Sequence, residues 1–215
     1  MSLAWNAERE QVASFMRRLY ARGLTTSTGG NVSLRTSDVV AITPSGTDKE
    51  SIRSEDVAIL TLEGENLTPQ IRVSMEAGMH LAVYRAREDV RAVVHAHPTT
   101  ASAFAALDCP IDTTLTAECW LLLGRPVKAP YALMGTAALA EEVARAVRSG
   151  DAVLMENHGA LTVGRSLLEA FDRLEVLEAA AKMTWVAATL GGSCPLSAER
   201  LDEIGRVFPK KGPRS

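Results

Sequence analysis

RAVVHAHP, Arg91 to Pro98, is an apolar run that closes on two histidines, His95 and His97, two residues apart. The chain holds only 4 histidines, so half of them fall in this one segment. Residues i and i+2 of a strand share a face, so a strand over Arg91–His97 projects both imidazoles side by side, close enough to hold one metal ion. His158 follows a second apolar strand, Ala152–Asn157, and stands beside Gly159 at what reads as a glycine turn. An HxH pair alone is also consistent with two hydrogen-bonded structural side chains. A third histidine at an equivalent strand end favours a metal. Three neutral imidazoles with an open fourth position describe a catalytic site rather than a closed structural one. His80 falls four residues after Glu76 on the same helix face, where a packing or hydrogen-bonding role is expected ahead of ligation.

Around this strand the pattern alternates between helices and strands. Val12, Phe15, Met16 and Leu19 recur at helical spacing over Asn6–Arg22, and Gly23 ends the helix. TTSTGGNVSLR is a loop leading into a strand, VVAIT a second strand, and Val57–Leu62 a third. Ser74–Arg87 and Ala137–Val147 read as helices, and a short helix starts near Pro98. Ala160–Val163 is a strand, and Leu167 opens a long helix that stops at Gly191-Gly192. Ser197 is placed to cap a last short helix. Consecutive strands with interspersed helices predict one domain over residues 1–215, with helices packed on a mainly antiparallel sheet.

Composition narrows the function classes. Of 215 residues, 47% are hydrophobic, enough for a substantial core. The formal net charge is -3 and the only basic block is Lys210-Lys211, so no nucleic-acid surface is expected. No signal core and no membrane-length apolar run occur, and three well-separated cysteines without a CxxC predict a reduced, cytoplasmic protein.

Two loops, Gly29-Gly30-Asn31 and Ser45-Gly46-Thr47, offer free backbone N–H groups and short polar side chains, the chemistry that cradles phosphate. Either alone fits a plain turn. In order, however, TGGNVSLR (28–35), TPSGTDKESI (43–52), SMEAGMHLAVYRAREDVRAVVHAHP (74–98), APYALMGT (129–136) and ENHGALTVG (156–164) resemble the class II aldolase/adducin family. The nearest look within it is to the L-fuculose-phosphate aldolase type.

The resemblance runs from about Gly23 to Gly192. It implies a three-layer α/β/α domain with a mostly antiparallel central sheet, and a homotetramer with active sites at subunit contacts. It also implies zinc on His95, His97 and His158, although manganese and cobalt suit imidazole ligands too. Glu76 becomes the acid/base, and Gly30, Asn31, Ser45, Gly46 and Ser74 hold a substrate phosphate. The implied reaction is reversible cleavage of a ketose 1-phosphate, L-fuculose 1-phosphate or similar, to dihydroxyacetone phosphate and an aldehyde.

Departures keep other lyases and isomerases open. Met75 stands where the aldolase pattern has a second serine, and TTLTAECWLLLG (113–124) lacks the tyrosine found there in the fuculose type. Glu118 lies in that stretch, either a second acid/base or a structural carboxylate in a helix from Thr116 to Leu123. Decarboxylation of a phosphorylated oxo-acid remains an alternative. A methylthioribulose-1-phosphate dehydratase or ribulose-phosphate 4-epimerase fits less well, since relatives of those types carry cysteine or aspartate at the Glu76 position. A non-catalytic adducin-like scaffold would not need the histidines and Glu76 together. Lys49 either assists the anion or is an ordinary exposed lysine, while Tyr131, Cys119 and Trp120 read as packing residues. The tail RVFPKKGPRS (206–215) has no assigned place.

Overall fold

A computed structural model describes residues 5–209; Lys210-Lys211 and the rest of the tail lie outside them. The helical spacing near the N-terminus gives α1 (Asn6–Ala21), which buries Val12, Met16 and Leu19. Three short strands follow, β1 (Asn31–Arg35), β2 (Val39–Ile42) and β3 (Ala58–Thr61). After α2 (Ala77–Ala86), the histidine segment forms β4 (Ala92–Ala96), so His97 lies one residue past its end. Then come α3 (Thr99–Ala105), α4 (Ala117–Leu123), β5 (Val127–Ala129), α5 (Ala137–Ala146), β6 (Ala152–Met155), β7 (Gly159–Gly164), α6 (Leu167–Thr189) and α7 (Ala198–Val207).

The strands form one sheet in the order β3-β2-β1-β4-β7-β6-β5. Every pairing is antiparallel except β5 with β6. Alternation sorts the side chains to two faces. Val32, Val94, Ala96 and Leu154 pack with α1, α3, α4 and α6 on one side. Val40, Ile42, Val93 and Leu161 pack with α2 and α5 on the other. The architecture is therefore three layers, α/β/α, around a mostly antiparallel sheet. His95 shares the parity of Val93, so it faces α2.

Several sequence expectations shift. The helix predicted from Ser74 begins at Ala77, because the Asn31 amide donates to Ser74 Oγ (3.3 Å) and to Glu76 Oε2 (2.8 Å) and holds that segment against β1. The edge strand β5 was not legible: three residues are too few to display a period. Ser197 occupies the cap position of α7 but makes no side-chain capping bond. Tyr131 is 60% exposed, so its ring does not pack as expected. Cys119 is buried, and Trp120 lines a groove with Leu201 and Ile204 of α7.

A buried carboxylate secures the segment just after the histidines. Glu178 of α6 is 4% exposed and accepts from the backbone N–H groups of Thr100 (3.1 Å) and Ala101 (2.8 Å). These are the unpaired donors of the first turn of α3, and hydrogen bonds to a charged group contribute about 1.5–3 kcal/mol each. Pro98 and α3 are thereby tied to the long helix, which steadies His97 one residue upstream.

Candidate active site

Two segments deliver the histidines to one point. His95 is the penultimate residue of β4 and His97 follows its end. His158 sits in the tight connection Glu156-Asn157-His158 between β6 and β7, where Asn157 takes a left-handed conformation (φ 52°). Asparagine adopts that region more readily than most residues. One ligand atom from each histidine lies within 4.8 Å of the others. Two glycines permit the approach. A Cβ on Gly159 would stand 2.6 Å from the His97 ring and 2.7 Å from the Ala96 carbonyl. A Cβ on Gly30, whose φ is +66°, would stand 2.7 Å from the His95 carbonyl.

Glu76 completes the cluster at the N-cap position of α2, with Oε2 3.2 Å from His95 Nε2 and Oε1 3.3 Å from His158 Nε2. The tautomer of His95 follows from its neighbour. Its Nδ1 lies 2.9 Å from the Ala160 carbonyl, which only accepts, so Nδ1 carries the proton and Nε2 presents a lone pair. That lone pair faces a carboxylate oxygen, and His95 Nε2 and Glu76 Oε1 are both buried without a hydrogen-bond partner. Two acceptors facing each other in a buried space fit a cation between them. The donor set of neutral imidazoles plus a nearby carboxylate suits a divalent ion, zinc among them.

Burial lowers the proton affinity of His97 to about 4, and the neighbouring imidazoles of His95 and His158 add to the effect. His158 is lowered for the same reasons, burial first and then His95. Burial of Glu76 works against its ionisation, but His95, the Asn31 hydrogen bond and His158 outweigh it, so the carboxyl stays below the ordinary range. His97 and His158 are thus neutral and the acid ionised near neutrality, which are the ligating states.

Behind Glu76 runs a buried hydrogen-bond chain. The Asn31 amide nitrogen donates to Glu76, so its carbonyl oxygen accepts from His80 Nε2. His80 Nδ1 then accepts from the Ser33 hydroxyl (2.6 Å), and Ser33 Oγ accepts from the Tyr84 hydroxyl (2.7 Å). Every donor points toward the carboxylate. Burial raises the Tyr84 pKa, keeping the phenol a donor. The sequence carried a signal for this chain. Asn31 and Ser33 share one strand face, while Glu76, His80 and Tyr84 recur at four-residue spacing along α2.

The chain has a consequence for acid stability. Burial depresses the His80 pKa from 6.5 to about 3. The unfolded protein therefore takes up a proton at this residue in a range where the folded protein does not, and stability is lost as pH falls from 6.5 toward 3. Urea midpoints of metal-free protein at about pH 7 and about pH 4.5 are expected to fall on acidification. They are expected to fall less for His80→Gln, which has no proton to gain.

The remaining predicted residues divide. Ser74 lies beside Glu76, bonded to its N–H at 3.3 Å. The Ser45-Gly46 loop is joined to the same region, since Pro44 bridges Val73 and Ser45 N–H donates to the Arg72 carbonyl (3.1 Å). Gly30 packs against β4, and the Asn31 side chain is engaged by Glu76 and His80. Glu118 is not brought to this cluster: it is exposed in the first turn of α4, with no ion pair to the histidines among the described residues. Lys49, read either as an aid to the anion or as an ordinary exposed lysine, is buried, with 1% of its surface accessible.

A model of the "Class II Aldolase and Adducin N-terminal domain" matches residues 10–185. The chain belongs to this class II aldolase/adducin family. A 5-deoxy-D-ribulose 1-phosphate aldolase of Bacillus thuringiensis is 33% identical over 210 residues, spanning 95% of this chain and 97% of that protein. A 3-oxo-tetronate 4-phosphate decarboxylase of Haemophilus influenzae is 34% identical over 183 residues, spanning 82% and 86%. Among solved structures, an L-fuculose 1-phosphate aldolase superposes with a TM-score of 0.86 at 31% identity, covering 97% of this chain and 98% of its own. No helix among the described residues is long and apolar enough to cross a membrane.

Proposed function

We propose that this protein is a divalent-metal-dependent aldolase, zinc being the first candidate, that reversibly cleaves a ketose 1-phosphate to dihydroxyacetone phosphate and an aldehyde. The observation that carries the reading is the buried face-to-face arrangement of His95 Nε2 and the Glu76 carboxylate within a cluster of three imidazoles. His95, His97 and His158 would hold the ion. When bound, it would polarise the ketone and adjacent hydroxyl oxygens and spread the charge that develops as the carbon–carbon bond breaks. Glu76 Oε1 or Oε2 moves the proton to and from the carbon that carries that charge. The Asn31 amide, held by His80, keeps the carboxylate aimed and ionised. Gly30, Asn31, Ser45, Gly46 and Ser74 hold the phosphate.

The name of the Bacillus thuringiensis relative favours a short 5-deoxy sugar phosphate as first substrate, and L-fuculose 1-phosphate stands next. In a homotetramer whose sites lie at subunit contacts, Glu118, exposed on α4, would serve a neighbouring copy. The decarboxylase among the relatives supports a second reading, loss of carbon dioxide from a 3-oxo-tetronate 4-phosphate. Zinc-loaded protein is assayed against 5-deoxyribulose 1-phosphate, L-fuculose 1-phosphate and 3-oxo-tetronate 4-phosphate. Release of dihydroxyacetone phosphate from either ketose supports the aldolase. Carbon dioxide from the oxo-acid, with both ketoses untouched, replaces it with the decarboxylase.

A further inference from the structure

Lys49 is a buried cation without a counter-ion. Only 1% of its surface is accessible, and no carboxylate pairs with it among the described residues. Its ammonium makes one side-chain hydrogen bond, to the Pro44 carbonyl at 3.0 Å. The adjacent acid, Asp48, is turned away and accepts from Glu50 N–H (3.1 Å) and the Ser51 hydroxyl (2.9 Å). Burial alone lowers the lysine pKa to about 8. Folded proteins rarely enclose a lysine without a partner, because removing an ammonium from water is strongly unfavourable unless an anion replaces the lost solvation.

Its position says which anion. The Lys49 backbone N–H donates to the Ser27 carbonyl (2.9 Å), tying it to the loop that carries Gly29 and Gly30. Its ammonium rests on Pro44, the residue before Ser45-Gly46. Pro44 bridges Val73, the residue before Ser74. The three segments proposed to hold the phosphate are therefore joined through Lys49 and Pro44, the first by the Lys49 backbone and the others at the Pro44 carbonyl its ammonium holds, and two N–H groups of the ammonium remain beyond that bond.

We propose that Lys49 is the buried counter-charge of the phosphate subsite, left unpaired in the free protein and compensated when the dianionic phosphate of the substrate docks. The proposal rests on the phosphorylated-substrate reading above and adds the residue that supplies its charge. A lysine placed there only to support the loops would serve as well uncharged.

Inorganic phosphate is the probe, measured by calorimetry and thermal unfolding on metal-loaded protein. Lys49→Met keeps the length and removes the charge. The expected result is a variant that melts higher than wild type without phosphate, gains little on adding it, and binds it at least about ten-fold more weakly. Lys49→Gln is measured alongside in case the thioether packs badly. Calorimetry of the wild type at about pH 8.5, in two buffers of different ionisation enthalpy, should report proton uptake on binding that both variants lack. Equal phosphate affinity in wild type and both variants would overturn the role of Lys49 while leaving the phosphate subsite standing. A wild type that binds no phosphate would remove the subsite, and with it this proposal.

Discussion

His158→Ala is expected to lower kcat by at least about 1,000-fold and to reduce bound metal from near one ion per chain to a small fraction. Even altering a group that merely orients a ligand costs about 10–100-fold in affinity or activity, and in the proposed centre His158 would be one of three donors rather than a support. The position is well suited to the test. His158 lies in the connection between β6 and β7, only partly buried, so alanine leaves the core untouched. His95 is wholly buried and bonded to the Ala160 carbonyl, so its loss would confound binding with folding. Metal content by mass spectrometry and steady-state kinetics on the same preparation provide the measurement. Full metal occupancy, with turnover within ten-fold of wild type, would rule out the three-histidine centre.

Glu76→Gln is expected to reduce kcat by about 100- to 10,000-fold, the span over which positioned acid–base groups contribute, while metal content stays near that of wild type. Glutamine matches glutamate in size and still fits beside Asn31, but it cannot take a proton near neutrality. The informative readout is exchange of solvent deuterium into dihydroxyacetone phosphate without aldehyde, since exchange needs only proton removal and return. Loss of exchange with retained metal assigns the proton to Glu76. Exchange at the wild-type rate transfers it to another group, and Glu118 of a neighbouring copy would be the next to replace.

The scaffold and the HxH pair were legible in the sequence because both rest on short-range periodicity. VVHAHP announces a strand by its apolar run and a shared face by the spacing of its histidines. α1, α5 and α6 announce themselves by buried residues at helical intervals. What stayed hidden depends on which elements meet in space. His80 was expected to pack or hydrogen-bond, but its partners Asn31 and Ser33 come from β1, a neighbour created by the sheet order. Lys49 stayed open between an aid to the anion and an ordinary exposed lysine because nothing local says that its side chain is buried. Glu178 lies mid-helix with no sign in the sequence that it receives the first turn of α3. β5 is held by pairing with β6, and its three residues show no pattern alone.

The order in which the strands join governs when the centre can exist at all. β1, β4 and β7 are neighbours in the sheet but far apart along the chain, and Asn31 and Leu161 flank His95 on either side. During synthesis, His95 and His97 emerge well before His158. A nascent chain therefore offers an ion two of the three imidazoles at most until the β6–β7 hairpin has been made. Contacts of such sequence separation form late and slowly, because the intervening chain must be ordered before they return any energy. An ion held by this cluster would not be an early template for folding: it would be captured by a nearly finished sheet and would stabilise the native state by mass action after the slow step has passed.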